Sequence, residues 1–274
     1  MQNAQFGPTM LGNDFKLYNH VLLGINSVMD YSISSVLNKF EDAGKISFEG
    51  VLLDQLREIA TEPQIVNAAE QDYSEAELLL KKAELEGYFA DKNLKFNLCR
   101  NCSTEPAYLR DQSALFDLFF VGSEVLKKEN RQLLKFIYEL NCPVLIIPRE
   151  FIVPEHILFV FDGTPESVVG MKKFIQLFSD KLIDTTVTCL MVNDSVKNER
   201  GFNEKVIVKY LLSNFIDVGI VTTTCHALDK EIRRLSSQYQ GTMILSGLIG
   251  MRTFISRKLC NLIVSNNIPV FFSH

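Results

Sequence analysis

Two places in this sequence set chemically useful residue types at a useful spacing. The first combines Asp162, which closes the apolar run HILFVF at 156–161, with the segment LSGLIGMRTFISRKLCNLIVSNNIP at 245–269. There Gly247 and Gly250 stand at a G-x-x-G spacing after the strand-like GTMIL, and Arg252, Arg257 and Lys258 follow. Glycines between a strand and a helix let backbone amides approach a phosphate, and the basic side chains can hold an anion. An aspartate at a strand end accepts from an amine or a hydroxyl. It can equally cap the helix pattern that begins near Pro165, and the sequence leaves both roles open. The second place is CRNC at 99–102, at a strand end just before a helix pattern. A helix start lowers a thiol pKa, so Cys99 and Cys102 suit thiol redox chemistry; the plain alternative is a pair of ordinary thiols in a reducing compartment. Zinc would need two further ligands, and the four histidines, at 20, 156, 226 and 274, are scattered.

Other chemistries find no residues to carry them. The chain contains no G-x-S-x-G elbow, no P-loop lysine motif and no H-E-x-x-H. Its net charge of -5 argues against broad nucleic-acid binding, which wants a basic surface. No apolar run approaches the roughly 18 residues of a membrane span. MQNAQFGPTMLGND at the start has neither the basic nor the apolar region of a secretory signal, so the cytoplasm is the expected compartment.

The elements that would position Asp162 and the glycines occur twice. HVLLGIN at 20–26 corresponds to HILFVFD at 156–162, FEGVLLDQL to TTVTCLMVND, LKFNLCRN to GIVTTTCHA, FDLFFVGS at 116–123 to GTMILSG at 241–247, and CPVLIIP at 142–148 to IPVFFSH at 268–274. Helical patterns separate these runs, so each half reads β-α-β-α-β-α-β-α-β. Such alternation predicts an α/β fold, with a five-strand parallel sheet in each half and helices on both faces. The strands read as apolar nearly throughout, as strands buried on both faces do. REFIVPE at 149–155 marks the junction, giving units at 15–148 and 155–274. VLIIP at 144–148 and PVFFS at 269–273 are apolar and terminal in their repeats, and are expected to pair as edge strands between the halves.

In this repeat, in ILFVFDGTPES and MILSGLIG, and in the closing CPVLIIP and IPVFF strands, the chain resembles the universal stress protein family in its tandem form. The resemblance implies two Rossmann-like domains of the adenine nucleotide alpha hydrolase type, joined as an intramolecular pseudo-dimer. It also implies a stress-response role exerted through a protein partner, with a further homo-oligomer open. Many members bind ATP, through an aspartate after the first strand and G-x-x-G, nine residues, then G-Ser/Thr after the fourth. Carried over, the site comprises Asp162, Gly163, Met191, Gly247, Gly250, Arg252, Ser256 and Arg257. The last glycine of that motif is missing: counting forward reaches Cys260, and aligning backward from Pro269 places Ser256 and Arg257 there. In the first half Asn26 replaces the aspartate, and Val125 stands where the second glycine belongs. The expectation is therefore a non-enzymatic protein with no resident cofactor and weak binding of ATP or AMP in the second half. An ATP binder with slow hydrolysis is the alternative, and a thiol redox protein a third reading.

Overall fold

The computed structural model describes residues 20–25, 33, 46–53, 75–99, 106–126, 131–182, 185–192, 204–239, 241–247 and 263–273. The strands are β1 (His20–Ile25), β2 (Ser47–Leu52), β3 (Lys95–Leu98), β4 (Leu118–Gly122), β5 (Val144–Ile147), β6 (His156–Phe161), β7 (Thr186–Val192), β8 (Val218–Thr223), β9 (Thr242–Gly247) and β10 (Val270–Ser273). The helices are α1 (Glu75–Asp91), α2 (Pro106–Ser113), α3 (Arg131–Ile137), α4 (Pro165–Leu182), α5 (Glu204–Asn214) and α6 (Leu228–Ser236), with a 3-10 turn at Ser123–Leu126. The helices expected after β1 and after β9 lie outside the described residues, apart from helical positions at 33 and 263–265.

The ten strands form one sheet in the order β3-β2-β1-β4-β5-β10-β9-β6-β7-β8, with the closing strands of the two halves paired as expected. Each half has the internal order 3-2-1-4-5 with parallel pairing throughout. The halves meet where β5 and β10 pair antiparallel, with Val270 opposite Ile146, Phe271 opposite Leu145 and Phe272 opposite Val144. Leu145 pairs with Phe120 in β4, and Phe271 pairs with the equivalent Leu245 in β9. The junction is thus centred on two residues in matching places of the repeat. Two short, uncharged edges have removed each other from solvent, which is the usual remedy for an exposed sheet edge.

Side-chain alternation splits the core in two. Leu22, Phe119, Val144, Ile146, Val270 and Phe272 face one way and pack with α2, α3 and α6. On the other face Leu23, Phe120, Leu145, Ile147 and Phe271 pack with α1, α4 and α5. Both layers run across the junction. Tyr138 from the first half meets Phe272 edge-on at 5.3 Å, and Phe271 meets Phe174 of α4 at 5.1 Å. Full burial of one such side chain stabilises by about 1.5–3 kcal/mol. The expectation of uniformly apolar strands fails at the ends of the sheet. β3 and β8, the two outer strands, are largely half-buried or exposed because only one neighbour and part of each face cover them.

A polar cluster fastens the start of the second half. His156 is buried at the first position of β6, between Thr188 Oγ1 at 2.9 Å from Nε2 and Thr242 Oγ1 at 3.3 Å from Nδ1. Tyr239 stacks on its ring at 3.9 Å. Beside it the amides of Glu155 and His156 donate to the Gly241 carbonyl. Burial holds the imidazole neutral and lowers its pKa from 6.5 to about 4. Because the folded value lies below the unfolded one, this contribution is complete above pH 6.5 and is lost as pH falls through 4. The full span is about 3 kcal/mol. Urea unfolding from pH 7 to pH 4.5 should show a loss of about 2 kcal/mol from this group. His156→Asn, although less stable at pH 7, should lack that part of the acid slope.

Candidate functional site

The strand order reverses direction between β1 and β4 in the first half and between β6 and β9 in the second. Open α/β sheets bind ligands outside the carboxyl ends of the strands at such a point. Val160 pairs with Ser246, so Phe161 and Gly247 follow side by side, and Asp162 emerges next to the end of β9. The fold therefore brings Asp162, Gly163 and Gly247 together. Gly250, Arg252, Ser256 and Arg257 lie outside the described residues, as do Asn26 and Cys102.

Asp162 is half-buried and its Oδ1 already accepts several hydrogen bonds. The Thr164 amide donates at 3.0 Å, the Thr164 hydroxyl at 2.6 Å and the Ser167 hydroxyl at 2.5 Å. Thr164 is in turn the cap of α4, its Oγ1 accepting from the Ser167 amide at 3.3 Å. Pro165 follows at the first helical position, where its missing N–H is no loss. The cap is thus Thr164, with Asp162 behind it holding the hydroxyl in place. Its negative charge also suits the positive end of the helix. Gly163 turns the chain with a φ of 81° and has open space where a Cβ would stand. The other oxygen, Oδ2, receives no hydrogen bond from the described residues.

Gly247 is needed for packing. A Cβ there would stand 2.6 Å from the Ser167 amide nitrogen and 2.8 Å from Ser167 Cα. The backbone of the first turn of α4 lies directly on the end of β9. One turn on, a Cβ at Gly170 would meet the Ser246 carbonyl at 3.1 Å. Ser167 and Ser246 are both buried in this contact. Met191 is only 4% exposed, and its side chain belongs to the core rather than to the crevice. Sequence reasoning missed Thr164, Ser167, Ser246 and Gly170. The run TPES carried the signal for the first two, as a threonine before proline with serine at the third helical position is a capping pattern.

In the first half the same register places Gly122 where Gly247 stands. The 3-10 turn after it buries Val125 and Leu126 in the core. Leu53 and Phe119 crowd Gly24, each leaving only 2.9 Å to a Cβ placed there. Cys99 is disulfide-bonded, its partner lying outside the described residues, whereas Cys142, Cys189 and Cys225 carry no disulfide. Burial pushes the Cys142 and Cys189 thiols up to about 12, which makes them inert. Among the described residues no group of three or more His, Cys, Asp or Glu stands where it could hold a metal ion, and no helix is long and apolar enough to cross a membrane.

No protein-family model matches the chain, and no curated protein does. Solved structures do. A universal stress protein from Archaeoglobus fulgidus superposes with a TM-score of 0.57 at 11% identity, over 93% of this chain and 96% of that one. A putative universal stress protein from Pseudomonas aeruginosa gives 0.57 at 11%, over 94% and 93%. A functionally unknown protein from Pseudomonas aeruginosa gives 0.57 at 12%, over 94% and 92%. The fold is that of the universal stress proteins. Within that universal stress protein fold, Asp162 and Gly247 occupy the switch point, where both are engaged by the start of α4. Gly247→Ala should therefore destabilise the chain by about 1–3 kcal/mol, because backbone must move to admit the methyl group. Thr164→Ala should cost about 1 kcal/mol through the lost cap. Urea midpoints of the two variants against the parent measure both.

Proposed function

We propose that this chain is a tandem universal stress protein that acts without catalysis, as two units at 15–148 and 155–274 presenting surfaces to a protein partner in the cytoplasm. The observation that carries the reading is what the described residues beside the two switch points touch. In the first half Val125 and Leu126, just after β4, are buried in the core, and Leu53 and Phe119 pack against Gly24 of β1. In the second, Asp162 Oδ1 and the surface of Gly247 are committed to α4. Residues that serve the fold in this way are poorly placed to change role during a reaction cycle.

A second reading, an ATP binder with slow hydrolysis in the second half, is favoured by one feature. Asp162 can hold Thr164 and Ser167 through Oδ1 and still offer Oδ2 to a ribose hydroxyl or an adenine amine. A thiol redox role has only the disulfide at Cys99 behind it. Isothermal calorimetry with ATP and with AMP separates the first two readings. The leading one expects no binding tighter than about 1 mM, equivalent to roughly -4 kcal/mol, and no phosphate release. The second expects one site per chain, little preference between the nucleotides, and loss of binding in Asp162→Ala. Tight binding of ATP accompanied by turnover would overturn the leading reading.

A further inference from the structure

The sheet has two outer strands, and the chain treats them differently. β3 is four residues long, begins with the exposed Lys95 and follows Lys92 closely, so charge and brevity guard that edge. β8 is six residues of VGIVTT with no charge, proline or bulge. Val187 N donates to the Asp217 carbonyl, which fixes the phase of the ladder with β7. Residues 217, 219, 221 and 223 bond inward. Val218, Ile220 and Thr222 turn their N–H and C=O groups outward, where no described residue meets them. Exposed apolar side chains accompany this row: Ile220 is 49% exposed, Ile216 76%, and Leu212 at the end of α5 56%.

We propose that β8 is a self-association edge, on which a second copy of this chain seats its own β8 antiparallel about a two-fold axis. Of the registers that oppose outward-facing residues, the one that pairs all three of them is centred on Ile220. Residues directly opposite in an antiparallel pair share a face, and hydrogen-bonded pairs must both point outward. Ile220 then faces Ile220 of the second copy, and Val218 faces Thr222, with about six backbone hydrogen bonds across the pair. Charge fits the same arrangement. Asp217 is the only ionic residue adjoining the strand, and the two-fold carries the two aspartates to opposite ends, each against a threonine at 223. That matters for a chain of net charge -5, whose copies would otherwise repel wherever acidic surfaces met. The β5 and β10 junction is a precedent within the molecule: two uncharged strands paired antiparallel. An isologous contact of this kind closes on itself and stops at a dimer.

Sedimentation velocity of the full chain at micromolar concentrations should show a species of twice the 31.2 kDa chain mass. Ile220→Lys and Ile220→Glu should each sediment as monomers while keeping the circular dichroism of the parent, because each sets like charges face to face. Mixed in equal amounts they should recover the dimer, since position 220 meets only itself. Ile220→Cys, a milder change, should form an intermolecular disulfide under gentle oxidation well ahead of the parent and of Val206→Cys, an exposed position on α5. A parent that stays monomeric, a dimer that survives Ile220→Lys, or failure of the mixture and of the Ile220→Cys crosslink to report position 220 would each overturn the proposal. Growth of the parent into species larger than a dimer would do so too, pointing instead to β8 seated on β3 of the next copy.

Discussion

Everything in this molecule hangs on the antiparallel meeting of β5 and β10. Each is a four-residue strand without charge and buried along its length. Left alone, each half would end its sheet in an open apolar edge, with the inner sides of α3 and α4 covering only part of it. Joined, the two strands satisfy each other's backbone and let both core layers run unbroken across the centre. Tyr138 of the first half packs on Phe272 across that seam, and Phe174 packs on Phe271 within the second half. Backbone pairing sets the direction and the register. Side-chain burial supplies most of the stability, as it does generally in sheets packed on both faces.

Much of this was legible before any coordinate. Runs such as HILFVF and MILSG are too short and too uniformly apolar to be surface helices, and their recurrence at matching intervals exposed the duplication. The pairing of the two closing strands also followed from their lack of charge. What the residues did not disclose was the half-exposed character of β8. VGIVTT resembles an inner strand, and only the strand order shows that it stands at the end, whereas Lys95 and Asn97 in KFNL mark β3 as an edge. FEGVLLDQL also read too long: β2 ends at Leu52, because Leu53 turns inward over Gly24.

The candidate site was legible in position and less so in role. Asp162 and Gly247 do adjoin at the switch point, as strand topology requires. Yet a glycine after a strand has two uses, close approach by a ligand or close approach by a helix, and the one-letter code is the same for both. Only the distance from Gly247 to Ser167 distinguishes them. Asp162 was similarly ambiguous, and the answer lay in its neighbours: a threonine and a serine at capping distance draw one carboxylate oxygen into the fold and leave the other outside it.

Because β5 and β10 run in opposite directions, so do all the strands of the two halves. The carboxyl ends of β1 and β4 therefore open on one rim of the sheet, and those of β6 and β9 on the other. The duplicated units look away from each other, like two faces of one coin. Nothing bound at one rim can be touched from the other. A protein that grips both rims must reach around the body, and two separate molecules can each take one side without colliding.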